Sequence, residues 1–100
     1  MIRAEVVYLD GYFHSLNVNG HGGEEKGTDI YCAGVSTCLI GALNALEQGE
    51  DYSIELSSGR SEVIAVRKPS LHDEIVMETL ICQLETIAKS YPTRVQIKIS

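Results

Sequence analysis

The stretch Ile2-Arg3-Ala4-Glu5-Val6-Val7-Tyr8-Leu9-Asp10-Gly11-Tyr12-Phe13-His14-Ser15-Leu16-Asn17-Val18 decides the fold. Two runs rich in β-branched and aromatic residues flank Asp10-Gly11. Glycine tolerates the positive φ of a tight turn, so Asp-Gly between such runs predicts a β-hairpin. Alternation along the second run places Tyr12, His14, Leu16 and Val18 on one face. The run closes at Asn19-Gly20.

Beyond it, residues 20–28 read Gly-His-Gly-Gly-Glu-Glu-Lys-Gly-Thr, a glycine-rich stretch with no periodicity, expected to be a mobile loop. From Asp29 to Leu46 the spacing turns helical. Cys32, Val35, Ser36, Leu39, Ala42, Leu43 and Leu46 fall at steps of three and four and form one stripe. Thr28 or Asp29 is placed to cap the start, and Gly49 sits just past the end. A second hairpin follows, with Tyr52, Ile54 and Leu56 alternating, a turn at Ser58-Gly59 and a return over Val63 to Val66. Pro69-Ser70 opens a second helix, where Ser70 and Asp73 have the spacing of a capping box. Its apolar face is Met77, Leu80, Leu84, Ile87, Ala88 and Tyr91, and Pro92 stops it. Val95, Ile97 and Ile99 alternate in a last strand. The order ββαββαβ implies an α+β layered domain with two helices and a mixed or mainly antiparallel sheet. Without its first strand the order matches a split βαβ arrangement.

The 100 residues form one domain, 1–100, and 44% hydrophobic residues suffice for one modest core. The formal charge of −6 argues against a surface that neutralises phosphates, so no direct nucleic-acid binding is expected. No apolar stretch approaches the roughly 20 residues of a membrane span. The opening residues lack the basic-then-apolar pattern of a signal peptide, so a cytoplasmic location is expected. Cys32, Cys38 and Cys82 are an odd number without repeated spacing and read as free thiols.

Cys32 falls in the first turns of the expected helix, where unpaired N–H groups and the helix dipole favour a thiolate. His21 follows a strand between Gly20 and Gly22, and an imidazole near a thiol can take its proton. Taken singly, Cys32 also fits a buried small hydrophobe on the stripe, and His21 a solvated loop residue. His14 reads as a core histidine beside Leu16, His72 as exposed, and Cys38 and Cys82 as structural thiols. A metal site from His14, His21, Cys32 and Cys38 matches no compact zinc spacing. The glycines at 20, 22, 23 and 27 lack the Gly-Lys-Ser/Thr of a phosphate loop. No cofactor is expected.

Asn19-Gly20-His21, the glycine-rich loop and Gly27-Thr28-Asp29-Ile30-Tyr31-Cys32-Ala33-Gly34-Val35-Ser36 together resemble the signature of the Prp family of ribosomal-processing cysteine proteases. The likeness extends to chain length and element order. It implies a cysteine endopeptidase that removes a short N-terminal extension from a large-subunit ribosomal protein precursor. Cys32 would be the nucleophile and His21 the general base, with Gly20, Asp29 and Ser36 at further motif positions. Asp29 is best read as the helix cap, and no third residue orienting His21 is visible, so the unit reads as a dyad. Family members are also expected to be homodimers whose loop closes over substrate.

Two other functions compete. One is a non-catalytic binding or assembly factor for a ribosomal protein, with Cys32 merely buried. The other is a thiol sensor pairing Cys32 with Cys38. Those residues are six apart on one helix, about 9 Å along its axis, so a disulfide would require the helix to break.

Overall fold

The structure, a computed structural model, describes residues 1–21 and 29–100. The expected mobile loop therefore lies outside the described residues from 22 to 28. The elements are β1 (Ile2–Leu9), β2 (Tyr12–Gly20), α1 (Ile30–Ala45), a 3-10 turn (Gly49–Asp51), β3 (Tyr52–Ser57), β4 (Arg60–Ala65), α2 (Leu71–Ser90) and β5 (Val95–Ile99). The order is the expected ββαββαβ. The five strands make one mixed sheet in the order β3-β4-β2-β1-β5, in which the neighbours β1 and β5 pair in parallel and the other neighbouring pairs are antiparallel. β2 and β3 are thus parallel with β4 between them, joined through α1, which is the split βαβ arrangement with β1 inserted beside β2.

The first hairpin turns at Asp10 and Gly11, with φ of 53° and 83°, as the Asp-Gly pair requires. Its faces differ from simple alternation. The register shifts between Val7 and Tyr8, so that Val7 pairs with Ser15 and Tyr8 with Phe13, leaving His14 as the extra residue of a bulge. The bulge brings Phe13, not Tyr12 or His14, into the buried set with Leu16 and Val18. His14 is half-buried rather than a core histidine beside Leu16.

Both helices cover one face of the sheet. Ile2, Ala4 and Val6 of β1, Phe13, Leu16 and Val18 of β2, Val63 and Ala65 of β4, and Val95 of β5 pack against Val35 and Leu39 of α1 and Met77, Leu80, Ile81 and Leu84 of α2. The edge strand β3 is only partly covered. Tyr52 is buried, whereas Ile54 and Leu56 remain 38% and 49% exposed. α1 ends at the expected place, with Gly49 just past it. Leu46 itself is the C-cap, and Gly49 opens the 3-10 turn that leads into β3.

Candidate active site

Three candidate side chains converge where β2 ends and α1 begins. Asp29 is the N-cap of α1, and its Oδ1 accepts the Cys32 N–H at 2.9 Å. This cap answers the unpaired donors of the first turn and fixes the backbone that carries Cys32. Cys32 is half-buried, and His21, directly after β2, is exposed. A ring nitrogen of His21, a carboxylate oxygen of Asp29 and the Cys32 sulfur all lie within 4.8 Å of one another. A thiol, an imidazole and a carboxylate at such spacing can exchange a proton and hold the resulting charges. Among the described residues this trio is one of two sets that could hold a metal ion, the other being Glu47, His72 and Asp73; His14 and Cys38 belong to neither.

The backbone under His21 is pinned. The Met1 amino group donates to the His21 carbonyl at 2.6 Å. The Gly20 N–H donates to the Gly59 carbonyl at 2.8 Å, which ties the β3–β4 turn to the end of β2. Gly20 has φ of +98°, and a Cβ there would run into the Met1 carbonyl oxygen, so this position takes only glycine. The start of α1 is held as well. The Tyr31 ring packs edge-on to Tyr91 at the end of α2, with centroids 5.0 Å apart, and the Arg94 guanidinium lies 5.6 Å from its centre. Sequence reasoning missed both supports. Tyr31 and Gly59 carry no local pattern that says what they will touch.

Cys32 lines a cavity of about 40 Å³ with Gly20, Ser36, Ser57, Gly59 and Arg60 among its walls. Ser36, one turn beyond Cys32, also lines the adjoining groove of about 250 Å³ with Leu39, Ile40, Leu56, Ser57 and Ser61. The two hollows share Ser36, Ser57 and Ser61 and adjoin as a trough between α1 and the β3–β4 hairpin. A roomier hollow, about 600 Å³, lies by β1 and β5 among Arg3, Glu85, Lys89 and Lys98, and Cys32 does not line it.

A second polar cluster sits at the opposite end of α1. Asp73 is fully buried, and its carboxylate accepts from the N–H groups of Glu47 and Gln48, from the Tyr52 hydroxyl and from the His72 ring, at 2.9 to 3.3 Å. Burial alone would push this carboxyl up, but the hydrogen bonds from His72, Glu47, Gln48 and Tyr52 outweigh it and hold it below its ordinary value. The same bond to Asp73 pushes exposed His72 up, and burial together with the Asp73 charge pushes the Tyr52 hydroxyl well up. The expected capping box is therefore half formed. The Ser70 hydroxyl accepts the Asp73 N–H at 3.2 Å, but the Asp73 carboxylate reaches away to α1 and β3. Cys38 is half-buried against the core, whereas Cys82 is exposed on α2 and is not a buried structural thiol.

Comparison with known proteins gives the family. The family described as cysteine protease Prp matches residues 1–96. The chain belongs to the Prp family of cysteine proteases. A ribosomal processing cysteine protease Prp from Mycoplasma pneumoniae is 34% identical over 80 residues, covering 79% of this chain and 80% of that protein. Its namesake from Staphylococcus aureus is 25% identical over 103 residues, with 97% of each chain covered. A crystal structure of the Staphylococcus aureus Prp with a covalently linked product peptide superposes with a TM-score of 0.90 at 24% identity, over the whole of both chains. The Prp fold is thus the α+β, ββαββαβ arrangement described above.

Proposed function

We propose that this chain is the endopeptidase that removes a short N-terminal extension from a large-subunit ribosomal protein precursor, with Cys32 as nucleophile and His21 as base. The observation that carries the reading is the convergence of the Cys32 sulfur, a His21 ring nitrogen and Asp29 beside the hollows between α1 and the β3–β4 hairpin. His21 takes the thiol proton, and the thiolate attacks the scissile carbonyl carbon. The Cys32 N–H is committed to the Asp29 cap. The oxyanion therefore falls to the N–H groups of Ile30 and Tyr31, which open the helix and have no acceptor within it. His21 passes its proton to the leaving amine, and the acyl group remains on Cys32. Water then attacks the thioester as His21 accepts its proton, and the thiol and the new carboxylate leave the cycle restored. Asp29 serves as the helix cap, with its carboxylate within 4.8 Å of the His21 ring nitrogen and the Cys32 sulfur. Ser36 contributes a wall of the trough. A formal charge of −6 suits a basic ribosomal protein as substrate.

The reading includes a cytoplasmic homodimer that needs neither membrane nor nucleic acid. Among the described residues no helix is long and apolar enough to cross a membrane. Incubation with the precursor ribosomal protein, followed by intact mass of the products, tests the whole proposal. Cys32→Ala should bind the precursor and release nothing, and His21→Ala should lose most cleavage. Cleavage by Cys32→Ala would end the assignment, and binding without cleavage by the unmodified protein would favour the non-catalytic factor. Sedimentation at micromolar concentration checks the dimer.

A further inference from the structure

Gly59 stands in the turn between β3 and β4 with φ of +76°, and the His21 ring lies directly on it. A Cβ built at Gly59 falls 2.7 Å from the His21 Nε2, 3.2 Å from Cε1 and 3.5 Å from Cδ2. The first of these is closer than real side-chain carbons approach, so any other residue at 59 forces a shift. The backbone has little freedom to supply it. The Gly59 carbonyl is bound to the Gly20 N–H, and the His21 carbonyl to the Met1 amino group. Gly20 leaves no room for a side chain of its own, because a Cβ there would run into the Met1 carbonyl oxygen. The mobile partner is the imidazole, which is exposed and can swing toward solvent at small cost to the fold. Swinging takes it off Cys32 and Asp29.

We propose that Gly59 is a positioning residue for His21, its bare backbone forming the seat that keeps the imidazole against Cys32. The inference rests on the proposed role of His21 as base and goes beyond it. The base is set by a hairpin turn remote in sequence, and the absence of a side chain there is a catalytic requirement. Misplacing a reacting group by about 1 Å can cost on the order of 100-fold in rate.

Gly11 supplies the control. It too lies in a hairpin turn with positive φ, +83°, but a Cβ there meets nothing within 4 Å. Gly11→Ala and Gly59→Ala therefore suffer similar backbone strain, and only the second touches the imidazole. The expected result is that Gly59→Ala loses about 100-fold in kcat with KM within a few-fold of the parent. Gly11→Ala should keep both constants, while the two variants lower the melting temperature alike. Alkylation of Cys32 by iodoacetamide should slow in Gly59→Ala toward its rate in His21→Ala. A nuclear Overhauser contact between the His21 ring protons and the Gly59 α-protons should be present in the unsubstituted protein. That measurement stands even where a variant folds poorly. Any of three results overturns the inference: no such contact, a Gly59→Ala kcat equal to that of Gly11→Ala, or a loss confined to KM, which would mean an obstructed trough. If Cys32→Ala is inert while Gly59→Ala cleaves normally, this inference fails alone and the peptidase reading stands.

Discussion

Replacing Asp73 should cost this domain a large share of its stability, because one carboxylate answers donors from three segments. Asp73→Ala strands the Tyr52 hydroxyl and the N–H groups of Glu47 and Gln48. Hydrogen bonds to a charged group contribute roughly 1.5–3 kcal/mol each. Glu47 and Gln48 are exposed and water can replace part of their loss, whereas Tyr52 is buried. The expected cost is about 3–4 kcal/mol against a total of about 5–15 for a domain of this kind. In a chain this size that lowers the melting temperature by on the order of 15 °C. Asp73→Asn keeps the bulk and one acceptor and should fall between. The pH dependence follows in sign. The folded-state pKa of Asp73 is below its ordinary 3.8, so its contribution is complete above that value and is lost as pH falls through the depressed one. His72 is raised above 6.5, so its contribution is complete below that value and is lost as pH rises through the raised one. Both are present together between about pH 4 and 6.5. Urea unfolding from pH 2.5 to 8 checks this. Asp73→Asn should flatten the acid slope, and His72→Ala the slope above pH 6.5. An Asp73→Ala protein as stable as its parent, with an unchanged acid slope, would refute the accounting.

At the other end of α1, asparagine caps a helix nearly as well as aspartate does. Asp29→Asn should therefore keep stability within a few tenths of a kcal/mol, while Asp29→Ala loses about 1 kcal/mol in urea unfolding. Any shared loss of cleavage in the two then reports the carboxylate rather than the cap. Cleavage should be unaffected by a chelator, and added zinc should inhibit it, since Cys32, His21 and Asp29 offer sulfur, nitrogen and oxygen within one ion's reach. Loss of activity on chelation, restored by zinc, would replace the thiol mechanism with a metal one.

The elements were legible because each carries its own local signal. Asp10-Gly11 marks the first turn, Asp29 and Ser70 cap the two helices as expected, and the stripe through Val35 and Leu39 does face the core. His21 and Cys32 were legible through a motif, and the structure brings them together. Misreadings arose where long-range geometry overrides pattern. The bulge at His14 exchanges the faces of β2, a change no alternation rule anticipates. The Asp73 carboxylate answers donors twenty or more residues away instead of its own helix start. Gly59 reads only as a turn glycine, and its contact with His21 exists because β4 pairs with β2.

The topology explains why a chain this small can build such a site. β2 leads through a short segment into α1, so His21 at the end of one and Cys32 at the start of the other, the proposed base and nucleophile, are neighbours by connectivity. Their orientation needs more, and the sheet order supplies it. Because β4 lies beside β2 in antiparallel register, Asn19 pairs with Arg60, and the β3–β4 turn is delivered to the end of β2 where His21 stands. Because β5 runs parallel to β1 and its first residue pairs with Ile2, the end of α2 arrives at the same edge, and Tyr91 and Arg94 grip Tyr31 next to Cys32. The helix carrying the nucleophile is thus held at its start by an aromatic contact and just beyond its end by the buried Asp73. Loosening the Asp73 end, about 22 Å along the axis from Cys32, should lower the temperature at which the protein unfolds without moving the thiol. Gly59→Ala should instead displace the imidazole, at only the stability cost it shares with Gly11→Ala.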